Sequence, residues 1–168
     1  MATYIQIGST VTVGAGGAAS IDFTSIPSTY TDLVVKLSVR NDQASNSAQI
    51  FTTVNGSAGS SRVLRGSGAA ASSFSDATGM ETARASAASS TSNTFSNIEL
   101  YFPNYTSTNA HSISSDGVSE NNATTAYAEL AAALSTSTAA ITSITFDFAG
   151  SGNFVQYSTA SLYGIKKD

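Results

Sequence analysis

Apolar and polar residues alternate along several short stretches of the chain, most clearly at residues 33–40. The residues predicted to face inward there are Leu33, Val35, Leu37 and Val39. Those predicted to face outward are Val34, Lys36, Ser38 and Arg40. A repeat of two residues is typical of a β-strand with one face in the core and the other in water. We therefore predict a half-buried strand at this position.

The most secure prediction of structure is at residues 141–165. A first arm at 142–148 alternates, and a turn at 149–153 contains Gly150, Gly152 and Asn153, which tolerate positive φ. The second arm, 154–165, is expected to pair back on the first as an antiparallel hairpin. Because this arm carries both Leu162 and Tyr163, we expect both of its faces to be covered.

Weaker alternation predicts further short strands. They are expected at residues 4–13, with a candidate bulge at Gly8-Ser9, and at 20–23, 49–54, 62–65, 95–102 and 111–119. A tight turn is expected at Asn55-Gly56. Residues 124–135 are ambiguous, because Tyr127, Leu130 and Leu134 have helical spacing in an alanine-rich run, but the all-β surroundings favour a strand.

Roughly eight to ten short strands, with turns between them and little helix, predict a single all-β domain over residues 1–168. The expected architecture is an antiparallel β-sandwich of jelly-roll type, because two packed sheets bury the alternating faces of such strands. Few lysines are present to protect the sheet edges, so we expect contacts between copies of the chain to cover them.

Residues 66–93 interrupt the pattern. They are mostly Ala, Ser, Gly and Thr, with Phe74 and Met80 as the sizeable apolar residues. We predict a long low-complexity loop, and one hypothesis is an arm that reaches onto a neighbouring subunit. Phe74, Met80 and Arg84 are then expected contact residues. The alternative is a plain mobile loop, with a weak helical turn at 80–84.

Composition limits the classes of function. Charged residues make up 11% of the chain, against a usual value of about 25%, while Ser and Thr number 30 and 21. Interface cores are depleted in charge, so this favours a protein that packs against neighbours, although a solvated Ser/Thr-rich surface has the same composition. A net charge of −4 opposes nucleic-acid binding. We expect a soluble protein, folded in a cytoplasm, with no membrane partner.

Candidate catalytic groups are few. The chain has no cysteine and one histidine, His111, which excludes a disulfide scaffold and a Cys or Cys/His zinc site. We expect His111 to be a surface or hydrogen-bonded residue. Asp116 and Glu120 are predicted to lie about 13 Å apart on a strand, beyond the roughly 5–9.5 Å that glycosidases use. No phosphate loop, calcium loop or metal motif is present, and we predict neither a cofactor nor an enzyme.

Tyrosines give one indication of recognition. Tyr101, Tyr105, Tyr127 and Tyr157 lie among Asn and Ser, a mixture typical of binding surfaces. Packing in the core or at a sheet edge is the alternative.

Three segments resemble recurring segments of small virion proteins of tailed bacteriophages. They are residues 23–33 (FTSIPSTYTDL), residues 102–112 (FPNYTSTNAHS) and residues 141–165, which contain ITSI, NF and SLYGI. Together they cover about half of the chain, and residues 66–93 and 124–135 fall outside the resemblance. The resemblance implies a non-enzymatic structural component of a phage particle.

Two hypotheses follow from this resemblance. The first is a capsid decoration, or cement, protein on the phage head surface, made in the host cytoplasm. It is expected to form a homotrimer on local threefold axes and to clamp the major capsid protein, chiefly through residues 66–93. The second is a tail-tip or fibre-head module that binds host glycans, with Tyr105 and Tyr127 stacking on sugars.

Overall fold

The structure is a computed structural model that describes residues 2–67, 69–121, 125–150 and 152–167. These residues form twelve β-strands. Their bounds are β1 (Ala2–Thr12), β2 (Ser20–Phe23), β3 (Asp32–Val39), β4 (Ser47–Val54), β5 (Gly59–Ser67), β6 (Ala70–Asp76), β7 (Glu81–Ser86), β8 (Ser96–Phe102), β9 (Ser112–Asn121), β10 (Thr125–Ser135), β11 (Ile144–Phe148) and β12 (Thr159–Lys167).

Two antiparallel sheets pack as a β-sandwich. The larger has eight strands in the order β1-β12-β3-β8-β9-β10-β5-β6, and the smaller has four in the order β2-β11-β4-β7. A frame of eight strands pairs from its ends inward, as β1 with β12, β2 with β11, β3 with β8 and β4 with β7. This nested pairing across two sheets is the jelly roll. The predicted fold is confirmed, with twelve strands in place of eight to ten.

Two inserted hairpins lengthen the larger sheet beyond β8. The β5-β6 hairpin follows β4, and the β9-β10 hairpin follows β8. β9 pairs with β8, β10 with β9, β5 with β10 and β6 with β5. These four strands, β9, β10, β5 and β6, are called the extension below.

The core lies between the sheets. The predicted inward residues of β3 are at most 1% exposed. Val34, which was predicted to face outward, is also buried. Its cross-strand partners are Tyr101 and Tyr163, whose large side chains lie on the same face beside it. These tyrosines therefore cover part of the outer face of the larger sheet.

The extension covers the free edge of the smaller sheet. Cα atoms of β7 come within 8 Å of those of β9, β10 and β5, closer than the roughly 10 Å between ordinary stacked sheets. Small buried residues of β10, Ala131 and Ala133, permit this approach. The Ser115 hydroxyl of β9 donates a hydrogen bond to the Thr82 carbonyl of β7. Covering an edge strand in this way protects it from pairing with other chains.

The hairpin predicted at residues 141–165 is wrong, although both strands exist. β11 pairs with β2 and β4 in the smaller sheet, whereas β12 pairs with β1 and β3 in the larger one. The chain crosses between sheets where the rings of Phe148 and Phe154 lie 4.4 Å apart. Gly150 and Gly152 do adopt positive φ, 88° and 92°, and position 151 lies outside the described residues. Glycine lets the chain turn but does not decide whether the flanking strands pair.

The long loop predicted at residues 66–93 is also wrong. This segment contains the end of β5 and the whole of β6 and β7, and residue 68 lies outside the described part. Backbone pairing of β6 with β5 and of β7 with β4 orders it without large side chains. Of the helical turn expected at 80–84, residues 81–84 lie on strand β7.

Three local predictions are confirmed. A register shift between Ile7 and Val11 marks the bulge in β1, where Gly8 has a φ of 69°. Asn55 and Gly56 form the predicted turn, with φ of 52° and 71°. Residues 125–135 are strand rather than helix, and residue 124 lies outside the described part.

Candidate functional site

The five residues predicted to contact a partner lie in different environments. Phe74 on β6 is exposed, Arg84 and Tyr127 are half-buried, and Met80 and Tyr105 are fully buried. The assignments of Met80 and Tyr105 are corrected, because a buried side chain offers no surface to a protein or a sugar.

Tyr105 has a structural role instead. Its hydroxyl donates a hydrogen bond to the Pro27 carbonyl and accepts one from the Tyr30 backbone nitrogen at 3.3 Å. Burial raises the pKa of Tyr105, which keeps the hydroxyl protonated as the donor. These bonds tie the loop before β3 to the segment after β8.

A buried cluster of charged residues lies close to two of the predicted residues. At its centre, Arg65 Nη2 lies 3.1 Å from Glu81 Oε1 and 3.1 Å from Glu129 Oε1. Arg84 Nε lies 3.3 Å from Glu81 Oε1, and the guanidinium carbon of Arg65 lies 4.7 Å from the centre of the Phe74 ring. Since the members come from β5, β6, β7 and β10, this cluster fastens the extension to the smaller sheet.

Burial shifts the pKa values of two residues in this cluster. Burial raises the pKa of Glu129, and the hydrogen bond from Arg65 opposes part of that shift. The second oxygen of this carboxylate, Oε2, has no hydrogen-bond partner among the described residues. Burial and the nearby Arg65 charge lower the pKa of Arg84. Because burying charge is costly, a buried cluster of this kind is weak evidence for added stability.

The opposite, outer face of the extension is apolar and exposed. Leu64 on β5, Val118 on β9, and Leu130 and Leu134 on β10 are each between 49% and 58% exposed. Leu64 and Leu130 are direct cross-strand partners. We call this surface the leucine face. Large apolar patches left in water commonly mark interaction sites.

A shallow groove runs across the leucine face. It has a volume of about 580 Å³, and the outward side chains that line it are Leu64, Leu130 and Arg62 together with small residues. Beyond Leu130, a neighbouring depression contains Glu99 and Asp116. The rim of the leucine face therefore carries both signs of charge.

The sequence did not reveal which face of β10 is exposed. A strand with Leu130 and Leu134 on one face and Ala131 and Ala133 on the other is normally expected to bury its leucines. Here the alanines face inward, because β7 lies too close for larger side chains. The alternation of leucine and alanine within residues 124–135 shows which residues share a face of the strand. It does not show which of the two faces is directed towards the core.

Candidate catalytic groups are accounted for structurally. His111 is buried, and its Nε2 lies 2.8 Å from the Ala139 carbonyl oxygen, so the prediction of a hydrogen-bonded histidine is confirmed. Asp116 and Glu120 lie on strand β9, and Glu120 accepts a hydrogen bond from the Thr91 backbone nitrogen. Among the described residues, no group of three or more His, Cys, Asp and Glu is placed to hold a metal ion.

Comparison of the chain with models of protein families, with curated proteins and with solved structures found no match. The described part of the chain contains no helix that is long and apolar enough to cross a membrane. The leucine face is thus the strongest structural indication of a partner.

Proposed function

We propose that this protein is a structural component of the virion of a tailed bacteriophage, and that it serves as a capsid decoration protein. In this role it forms a homo-oligomer, a trimer in our proposal, and clamps the major capsid protein on the head surface. The resemblance of three segments to small phage virion proteins supports the place in a virion.

The observation that carries the binding role is the outer face of β10. Its outward residues are all exposed and all apolar: Ala126, Ala128, Leu130, Ala132 and Leu134. Leaving apolar area in water forgoes about 25 cal/mol per Å² that burial against a partner supplies. Leu64 and Val118 widen this strip on both sides. The outer face of β10 itself carries no charge, as in an interface core, and the charged residues Asp116 and Arg62 flank it opposite Leu130 and Ala132.

The rim of the leucine face favours a protein partner. Arg62 lies on one side, and Asp116 and Glu99 lie on the other. A rim of mixed charge around an apolar centre is typical of protein interfaces, where it sets orientation. Under this proposal the major capsid protein covers the leucine face.

The edges of the larger sheet support self-association. β1 and β6 are its two end strands. β1 contains no charged residue, and the charge on β6 is confined to Asp76 at its end. Edge strands without charge or proline are prone to pair with strands of other chains. Contacts between copies through these edges are a direct way to build the proposed trimer.

The first experiment is quantitative mass spectrometry of purified virions, with the copy number of this chain measured against the major capsid protein. We expect a number approaching that of the capsid protein. Removal of the chain should then weaken the head against heat or osmotic shock. A few copies per particle would point instead to the tail, and absence from the particle would refute a virion role.

Variants of the leucine face test the site itself. Leu130→Gln and Leu64→Gln alter exposed residues, so the variants should fold with little change in stability. Binding to particles that lack the protein should fall about tenfold or more, as for central interface residues. Thr29→Gln is the control, because Thr29 is an exposed loop residue that lies outside the leucine face. Equal binding by the leucine variants and the control would refute this face as the contact.

A further inference from the structure

Tyr157 has an unusual conformation for an exposed aromatic residue. Its φ is 71°, in the left-handed region, and the residue is 69% exposed. Bulky residues rarely adopt this region, and most other non-glycine residues that do so here are asparagines, namely Asn55, Asn93 and Asn104. Core packing does not explain an exposed ring at a strained position. Backbone strain of this kind concentrates at functional sites.

The turn that carries Tyr157 is held firmly. The Tyr157 backbone nitrogen donates a hydrogen bond to the Val13 carbonyl at 3.0 Å, and the Val155 nitrogen donates one to the Arg40 carbonyl at 3.0 Å. Arg40 also fixes a second segment through its side chain. Its guanidinium donates to the backbone carbonyls at 90, 91 and 94, at distances of 3.1, 2.8 and 2.9 Å. Both segments are therefore preorganised around one buried arginine.

An open cleft of about 400 Å³ lies between these segments. Its lining includes Asp42, Asn93, Phe95, Gln156 and Tyr157. The side-chain amides of Asn93 and Gln156 make no hydrogen bond within the described part of the chain. The Asp42 carboxylate accepts two hydrogen bonds from Asn153, at 2.7 and 3.3 Å, and each oxygen keeps a further lone pair.

We propose that this cleft, centred on Tyr157, binds a neutral carbohydrate. An exposed ring offers a flat apolar surface to the C–H face of a pyranose, and side-chain amides both donate to and accept from hydroxyl groups. Asp42 adds an acceptor for sugar hydroxyls and repels anions. The Arg40 guanidinium also lines the cleft and keeps its charge, but it donates three hydrogen bonds to backbone carbonyls, which leaves it few donors for an anion.

This site is independent of the decoration role. The leucine face and the cleft share no lining residue. A sugar site on a virion protein gives the particle weak adhesion to surface glycans, whichever part of the particle carries the chain. Multiple copies would strengthen that adhesion through avidity.

The test is a titration of ¹⁵N-labelled protein with the methyl glycosides of glucose, galactose, mannose and N-acetylglucosamine, followed by NMR. We expect at least one of these probes to shift the amide signals around Asp42, Asn93 and Tyr157, with a Kd on the order of 1–10 mM. No shift up to about 50 mM, or shifts confined to the leucine face, would overturn the proposal.

Variants of the exposed tyrosines distinguish loss of ring stacking on the sugar from loss of folding. Tyr157→Asn removes the ring but suits the left-handed backbone, so the variant should fold and lose binding by about tenfold or more. Tyr157→Phe keeps the ring and should bind within about threefold of the wild type. Tyr4→Asn changes another exposed tyrosine, on β1, and should bind as the wild type does. Unchanged binding by Tyr157→Asn would refute the site even if a sugar binds elsewhere.

Discussion

Arg65 is the cation that two buried carboxylates share, so its removal is predicted to be unusually damaging. In Arg65→Met, Glu81 keeps Arg84 at 3.3 Å and a hydrogen bond from Gln49 at 2.7 Å. Glu129 loses the cation that its carboxylate contacts at 3.1 Å. Glu129 is 4% exposed, so water cannot readily replace the arginine.

The expected loss is about 3–5 kcal/mol of unfolding free energy, the usual cost of removing one partner from a buried ion pair. Methionine retains a flexible apolar side chain that can pack against Phe74, so little of this loss comes from packing. The double variant Arg65→Met/Glu129→Met removes both charges together. Because apolar replacement of a whole buried pair is often neutral, we expect it to lie within about 1 kcal/mol of the wild type.

The loss should depend on pH. Burial raises the pKa of Glu129 in the folded protein, so the folded state takes up the proton more readily than the unfolded state, and protonation favours folding. Removing Arg65 raises this pKa further. The destabilisation is therefore largest above the folded-state pKa, and it shrinks as the pH falls towards the unfolded value of about 4.3. The double variant should lack this dependence.

Urea unfolding followed by far-UV circular dichroism, at pH 7 and pH 5, measures these differences. Repeating it over a tenfold range of protein concentration separates subunit dissociation from unfolding. A loss below about 1 kcal/mol for Arg65→Met at pH 7 would refute the reasoning. A double variant as unstable as the single one would refute it equally.

Two further predictions test the packing of the extension by calorimetry. Ala133→Leu overfills the buried side of β10 and should cost about 1–3 kcal/mol, whereas Ala132→Leu on the exposed side should change stability by less than about 0.5 kcal/mol. A Cβ at Gly59 would lie 1.9 Å from the Leu134 carbonyl oxygen, so Gly59→Ala should lower the Tm. Gly66→Ala meets no atom within 4 Å and should be neutral or slightly stabilising. Equal effects within either pair would contradict this packing.

Strand positions could be predicted where one face of a strand is buried. β8 and β11 alternate between buried and less buried residues, so large apolar side chains recur at every second position. β6 and β7 have no such signal. Side chains of β6 are exposed on both faces up to Ser75, and those of β7 are buried at every position except Arg84. A period-two pattern requires a strand whose two faces lie in different environments. Both faces of β6 are exposed and both faces of β7 are buried, apart from one residue in each strand.

Pairing was harder to predict than position, because turn residues act locally. The glycines at 150 and 152 adopt the expected conformation, yet β11 and β12 belong to different sheets. Asn55-Gly56 likewise forms a tight turn between strands of different sheets. In a jelly roll most consecutive strands cross the sandwich, so a turn signal between two strands is weak support for a hairpin. The same limit explains why the candidate site was missed, since Leu130 faces outward only because β7 approaches from the other side.

The two segments that the sequence analysis placed outside the resemblance, 66–93 and 124–135, lie where the extension meets the edge of the frame. The three similar segments, 23–33, 102–112 and 141–165, fall on frame strands and the loops beside them. Residues 66–93 and 124–135 supply β6, β7 and β10, and with them the two carboxylates that contact Arg65 and two of the four residues of the leucine face, Leu130 and Leu134. The extension thus has two roles. Its inner side covers the edge of β7, and its outer side exposes an apolar surface. If the decoration role is correct, exchanging the extension between such proteins should exchange their capsid partners and leave the frame intact.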